Sequence, residues 1–184
     1  MRRYAYRKWN EMRLTCPVII FVLLWLPFQV TAESIRVAVA SNFTYVMEAL
    51  VEQFEQQSGH DVTLISGSTG KIYAQVINGA PFDIVFAADV ERPRRLEQDK
   101  LIQSGSRFTY AIGQLVLWSA DADLVDDNAD ILISDNFHHL AIANPRLAPY
   151  GQAAQQVLEA TGIWSRLQDR IVRGENIGQT FQLV

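Results

Sequence analysis

"DVTLISGSTGKIYAQVINGAPFDIVFAAD", residues Asp61 to Asp89, is the stretch that decides the fold. A β-rich run ending at Ser66 gives way to Gly67-Ser68-Thr69-Gly70, and the apolar face Ile72, Ala74, Val76 and Ile77 then predicts a helix ending near Gly79. Either Ser68 or Thr69 can cap that helix. Phe82 to Asp89 reads as a further strand, buried on both faces. Strand, helix and strand in this order make a parallel βαβ unit.

The pattern extends in both directions. Ser34 to Ala40 ("SIRVAVA") is a strand ending at Ser41-Asn42, two capping residues, after which Val46, Leu50, Val51 and Phe54 recur at helical spacing as far as Ser58-Gly59. Beyond Asp89 the sequence predicts a helix from Val90 through Leu96, and then a long β-prone run, Arg107 to Ser119 ("RFTYAIGQLVLWS"), able to carry the chain from one lobe to another. A strand in "LAIANP", a helix over Tyr150 to Thr161, a strand in "RIVRGE" and a helix from Ile177 follow. The expected fold is α/β: two doubly wound lobes, the first over 33–106, a crossing segment at 107–119 and the second over 120–184. Val184 falls inside an apolar helical pattern with no cap, so the second lobe reads as incomplete.

Residues 1–32 read as an export signal. Arg2, Arg3, Arg7, Lys8 and Arg13 form a basic start, Pro17 to Phe28 an apolar core, and Val30-Thr31-Ala32 a small-residue site with cleavage expected after Ala32. The competing reading is a membrane anchor, but the run is shorter than the roughly 20 apolar residues a spanning helix needs, and Pro27 interrupts it. The one cysteine, Cys16, precedes the apolar core, so the remainder must rest on its packing without disulfides. Of 16 basic and 20 acidic residues, the leader holds five basic ones and Glu11, so the remainder carries 11 against 19, a net charge of −8. So acidic a chain is poorly suited to nucleic acid or an anionic membrane surface.

Glycines and hydroxyls at a helix start are a common way to offer N–H groups to an anion. A nucleotide phosphate is the first candidate, because Gly70-Lys71 resembles the end of a P-loop. That motif needs glycine where Ile65 stands and Ser or Thr where Ile72 stands, so it is absent. Two strand-to-helix junctions, Ser41-Asn42 and Ser68-Thr69, lie on the first lobe, and two more, Pro149-Tyr150-Gly151 and Asn176-Ile177, face them from the second. Any one alone is an ordinary cap. Together they describe a site of neutral donors.

Other chemistries have little material. His60, His138 and His139 are the only histidines and no Ser sits in a G-x-S-x-G elbow, which disfavours nucleophilic catalysis. His138-His139 reads as a surface pair, since a metal site wants three or four convergent ligands. The acidic run Asp121 to Asp130 lacks the spacing, glycine and closing glutamate of a calcium loop and reads as a solvated loop or helix start. A ferric site would need clustered tyrosines, whereas Tyr45, Tyr73, Tyr110 and Tyr150 are scattered over different elements.

"AVASNF", "SGSTGKIYAQVINGAPFDIVFAADVERPRRLEQ", "GSRFTYAIGQLVLWS", "ANPRLAPYGQAA" and "GENIGQ" together resemble the periplasmic molybdate-binding proteins that feed an ABC importer, from about residue 34 to the end. The resemblance implies a type II periplasmic binding fold that closes over a tetrahedral dianion, with no cofactor, no catalysis and no positively charged contact. It implies a monomer whose partners are molybdate or tungstate and a membrane permease. Position by position it points to Ser41, Asn42, Ser68, Thr69 and Tyr150 as ligand residues, with Ile177 acting through its backbone N–H. None of the matched positions is Asp or Glu, which suits a fully deprotonated oxyanion: protonated phosphate needs an acceptor, and molybdate, tungstate and sulfate need donors only. Sulfate shares that pattern and stays open, because pocket volume decides between them. Glu175 reads as a structural neighbour of the site.

Overall fold

The computed structural model of the chain describes residues 34–126, 128–134 and 136–184. The leader, its cleavage site and Asp127 lie outside them. Among the described residues there are five strands: β1 (Ile35–Ala40), β2 (Val62–Gly67), β3 (Ile84–Phe86), β4 (Leu140–Ala143) and β5 (Ile171–Gly174). The helices are α1 (Thr44–Ser58), α2 (Thr69–Ile77), α3 (Glu91–Gln98), α4 (Pro149–Ala160), α5 (Trp164–Leu167) and α6 (Ile177–Phe181).

Two parallel sheets result. One has the order β2-β1-β3, with Val37 opposite both Leu64 and Ile84 and Val39 opposite both Ser66 and Phe86; the other pairs β4 with β5 from Leu140–Ile171 to Ala143–Gly174. Because β1 is central, Val37 to Ala40 are buried in succession instead of alternating. The chain leaves β1 to one side for β2 and returns past it to β3, so right-handed crossovers put α1 and α2 on opposite faces. This is the expected doubly wound α/β arrangement.

Several details depart from the sequence reading. On α1 the buried stripe is Met47 and Val51 below Phe43, packed on Val37, Val39, Leu64 and Phe86, while Val46, Leu50 and Phe54 remain exposed. Two apolar stripes run side by side on this helix, and spacing alone does not tell which one meets the sheet. On α2, Ile72 and Val76 face inward, whereas Ala74 and Ile77 are exposed. β3 is a three-residue edge strand with Ile84 exposed, not a strand covered on both faces. It begins where Asp83 grips β1, accepting from the Arg36 N–H at 2.7 Å while its own N–H donates to the Arg36 carbonyl at 2.9 Å.

The largest departure is Arg107 to Ser119. Among the described residues no ladder bond joins it to another strand, and Phe108, Ile112 and Val116 are exposed. A β-prone sequence becomes a strand only with a backbone partner beside it. Its N-terminal end is tied to α3 instead: Glu97 accepts from the Gly105 N–H at 2.9 Å and from Arg107 at 3.1 Å. Those two donors hold its carboxyl below the usual carboxylate range.

The helix ends follow their residues. Gly59 takes a left-handed conformation (φ 72°) to close α1. Gly151 lets the start of α4 lie against the end of β4, where any side chain would run into the Ala143 carbonyl. Around the second sheet, Ile142, Ala148, Leu158 and Leu167 are buried. His138 and His139 are exposed just before β4, as their sequence suggests.

Candidate anion-binding site

Parallel strands bring their carboxyl ends to one edge, and the helices that follow present N-termini there. Here the edges of both sheets meet. The Gly70 N–H, in the first turn of α2, donates to the Leu147 carbonyl before α4 at 2.8 Å. The Gly178 N–H of α6 makes a long contact of 3.4 Å with Ser41 Oγ after β1. Lys71 Nζ lies 2.6 Å from Glu175 Oε1, linking α2 to the β5–α6 turn. Three independent links therefore hold the 41, 68–71, 147 and 175–178 loops together.

Each expected residue takes a definite role. Ser68 caps α2, its hydroxyl accepting from the Lys71 N–H at 3.3 Å. Thr69 is not the cap: its hydroxyl accepts from the Ala88 N–H, just beyond β3, at 3.1 Å. Both are 2% exposed. Ser41 and Asn42 do not cap α1; they form a 3₁₀ turn ahead of it, and the residue at the cap position is Phe43. The turn frees the Ser41 hydroxyl for Gly178, and Asn42 lines a cavity of about 1200 Å³ together with Ala88, Tyr110, Pro149 and Tyr150. That cavity is far larger than one oxyanion, because its other wall is the exposed edge of β3 and the unpaired 107–115 chain.

α4 starts with Pro149 and has no side-chain cap from Ala148. Proline suits that first position, and the amides that follow have no helix carbonyl to bond. Tyr150 is half-buried, its hydroxyl packed against Gly113 so closely that any side chain at that position would strike it. Asn176 caps α6, accepting from the Gln179 N–H at 2.9 Å. Ile177 is the first residue of that helix, so its N–H also lacks an intrahelical partner. Ser41 borders a smaller cavity of about 410 Å³ with Asn176 and Gly178; Ile177, Ser68 and Thr69 line neither cavity. The structure thus joins Ser41 to the 176–178 turn, places Asn42 and Tyr150 on one wall, and reaches Thr69 through Ala88.

Two residues of the site were not legible. Ala88 follows β3, and the order β2-β1-β3 sets its amide beside the ends of β1 and β2; the third strand-to-helix junction, "FAAD", was the available signal. Tyr110 comes from the unpaired segment and meets Tyr150 across the same cavity, so these two tyrosines converge although their elements are distant in sequence. The Tyr110 hydroxyl donates to the Ala87 carbonyl at 3.0 Å, and burial, with Tyr150 nearby, pushes it above the usual phenol range.

These loops thus lie where two α/β sheets meet at their carboxyl edges. The model for bacterial extracellular solute-binding proteins matches residues 35–184, and the chain belongs to that family. Among its relatives, the molybdate-binding protein ModA of Azotobacter vinelandii is 47% identical over 153 residues, covering 83% of this chain and 61% of the relative. ModA of Rhodobacter capsulatus is 38% identical over 161 residues, covering 88% and 64%. The solved periplasmic molybdate-binding protein of Azotobacter vinelandii superposes with a TM-score of 0.79 at 45% identity, covering 80% of this chain and 65% of that one. The chain therefore spans a little over three fifths of the length of these relatives.

Proposed function

We propose that the protein captures molybdate, with tungstate as its isostere, outside the cytoplasmic membrane and delivers it to the permease of an ABC importer. The support is twofold: the relatives named for molybdate at 47% and 38% identity, and the neutral character of the donors. The observation that carries the reading is that two cations beside the start of α2 are already engaged. Lys71 is paired with Glu175 and Arg92 with Asp89, so at this end of the site hydroxyls and amides are the groups offered to an anion. In this proposal Ser41, Asn42, Thr69 and Tyr150 donate side-chain hydrogen bonds, Ile177 donates its N–H, and Ser68 shapes the turn by capping α2. Residues 33–106 and 120–184 serve as two lobes with 107–119 between them, the leader is cleaved after Ala32, and the protein works as a monomer without catalysis.

A dianion in such a site needs no acceptor from the protein. The Thr69 and Ser41 hydroxyls each receive an N–H, from Ala88 and from Gly178, so each keeps its own proton to donate to another acceptor. Isothermal titration with molybdate, tungstate, sulfate and phosphate tests the reading. Binding of molybdate and tungstate with weak or no response to phosphate is expected; preference for sulfate would reassign the ligand, and no response to any dianion would refute the proposal.

A further inference from the structure

We propose that Tyr110 is a positioning residue for the anion seat: its hydroxyl holds the Ala87–Ala88 peptide so that the Ala88 N–H is aimed at Thr69, leaving the Thr69 proton for the ligand. The inference rests on the proposed oxyanion reading only in taking Thr69 as a donor. Its geometric part stands alone. Tyr110 Oη donates to the Ala87 carbonyl at 3.0 Å, and the Ala88 N–H donates to Thr69 Oγ1 at 3.1 Å. The Ala87 carbonyl and the Ala88 N–H are the two ends of one planar peptide unit, so fixing the first fixes the direction of the second. Serial hydrogen bonds also polarise one another, which makes the Ala88 N–H a stronger donor and the Thr69 hydroxyl more acidic toward whatever it faces.

The tyrosine is itself held. Its ring lies 5.1 Å from Phe43, tilted by 57°, and 5.2 Å from Phe86, nearly edge-on at 78°. Both are favourable aromatic geometries. Phe43 ends the 3₁₀ turn of Ser41 and Asn42, and Phe86 ends β3 just ahead of Ala87. The ring therefore spans the two loops whose donors must agree in position, and the hydroxyl ties the otherwise unpaired segment to them.

Tyr110→Phe removes the hydroxyl and keeps the ring contacts. Molybdate affinity is expected to fall about three- to tenfold, the range of one hydrogen bond. A merely structural role would weaken binding equally in any background, so the same change is made in Thr69→Val, where it is expected to have no further effect. In ligand-free protein, the Ala88 amide nitrogen resonance is expected to shift in Tyr110→Phe, since that nitrogen senses the bond to the carbonyl of its own peptide. Unchanged affinity, an equal loss in the Thr69→Val background, or an unmoved Ala88 resonance would each overturn the inference. Failure of the unaltered protein to bind any dianion would refute the ligand reading, while the Ala88 resonance would still decide the relay.

Discussion

Thr69→Val keeps the volume of a side chain that is 2% exposed and deletes one hydroxyl, so its cost can be worked from two hydrogen bonds. The first is the 3.1 Å bond from the Ala88 N–H, whose loss leaves a part-buried donor unsatisfied at about 1–3 kcal/mol of folding free energy. The second is the proposed bond to the anion, which, being made to a charged group, contributes about 1.5–3 kcal/mol, or roughly ten- to hundredfold in affinity. Ser68 already caps α2, so helix capping is unaffected and the two losses separate cleanly. Thr69→Ser, which keeps the hydroxyl, should recover most of both. The assay is isothermal titration with molybdate beside a ligand-free thermal melt of each variant. Thr69→Val binding as tightly per folded molecule as the unaltered protein would refute Thr69 as a ligand donor, whatever its melting temperature.

Ser68→Ala should lower stability by about 1 kcal/mol through loss of the cap, read as a drop in urea midpoint, with affinity moving much less than in Thr69→Val. Gly113→Ala would press a methyl group onto the Tyr150 hydroxyl, so molybdate affinity should fall, while Gly59→Ala, open to solvent and outside the cavity though strained at φ 72°, costs stability only. Lys71 and Glu175 are 55% and 41% exposed, so Glu175→Gln should change stability by no more than about 1 kcal/mol, and by less as salt is raised, but should speed dianion release in stopped-flow if the pair holds the cleft shut. Glu97 has its pKa depressed by the Gly105 N–H and Arg107; its contribution is complete above the ordinary value of 4.5 and is lost as pH falls through the lower folded value. The protection factor of the Gly105 amide, its exchange referred to the intrinsic rate at each pH, should therefore fall on acidification within that window and stay constant between pH 5 and 8.

The parts of this fold legible in the sequence were those fixed by local chemistry. Val37 to Ala40, Val62 to Gly67 and Leu140 to Ala143 are short apolar β-rich runs bounded by turn residues, and each is a strand. Ser68, Asn176 and Pro149 signalled helix starts and stand at or beside them. The failures are of another kind. Arg107 to Ser119 has every local mark of a strand, but a ladder is a property of two segments and no partner lies alongside among the described residues. Val46, Leu50 and Phe54 are as regular as Phe43, Met47 and Val51, and only the position of β1 selects between them. At the site, Ser41, Asn42, Thr69 and Tyr150 were readable as residue types at junctions, whereas Ala88 acts through its backbone and Tyr110 through a peptide in another element. Neither role leaves a mark in side-chain chemistry.

The central claim is that a tetrahedral dianion is held by neutral donors at the meeting edges of two sheets. A crystal structure of the molybdate complex, with the metal located by its anomalous signal, tests it most directly. One molybdenum peak is expected, with its oxygens within about 2.7–3.2 Å of Thr69 Oγ1, the Asn42 side chain, Tyr150 Oη and the Ile177 N–H, and with the Lys71–Glu175 pair intact. A peak whose oxygens contact Lys71 or Arg92 directly, or one lying away from these loops, would contradict it.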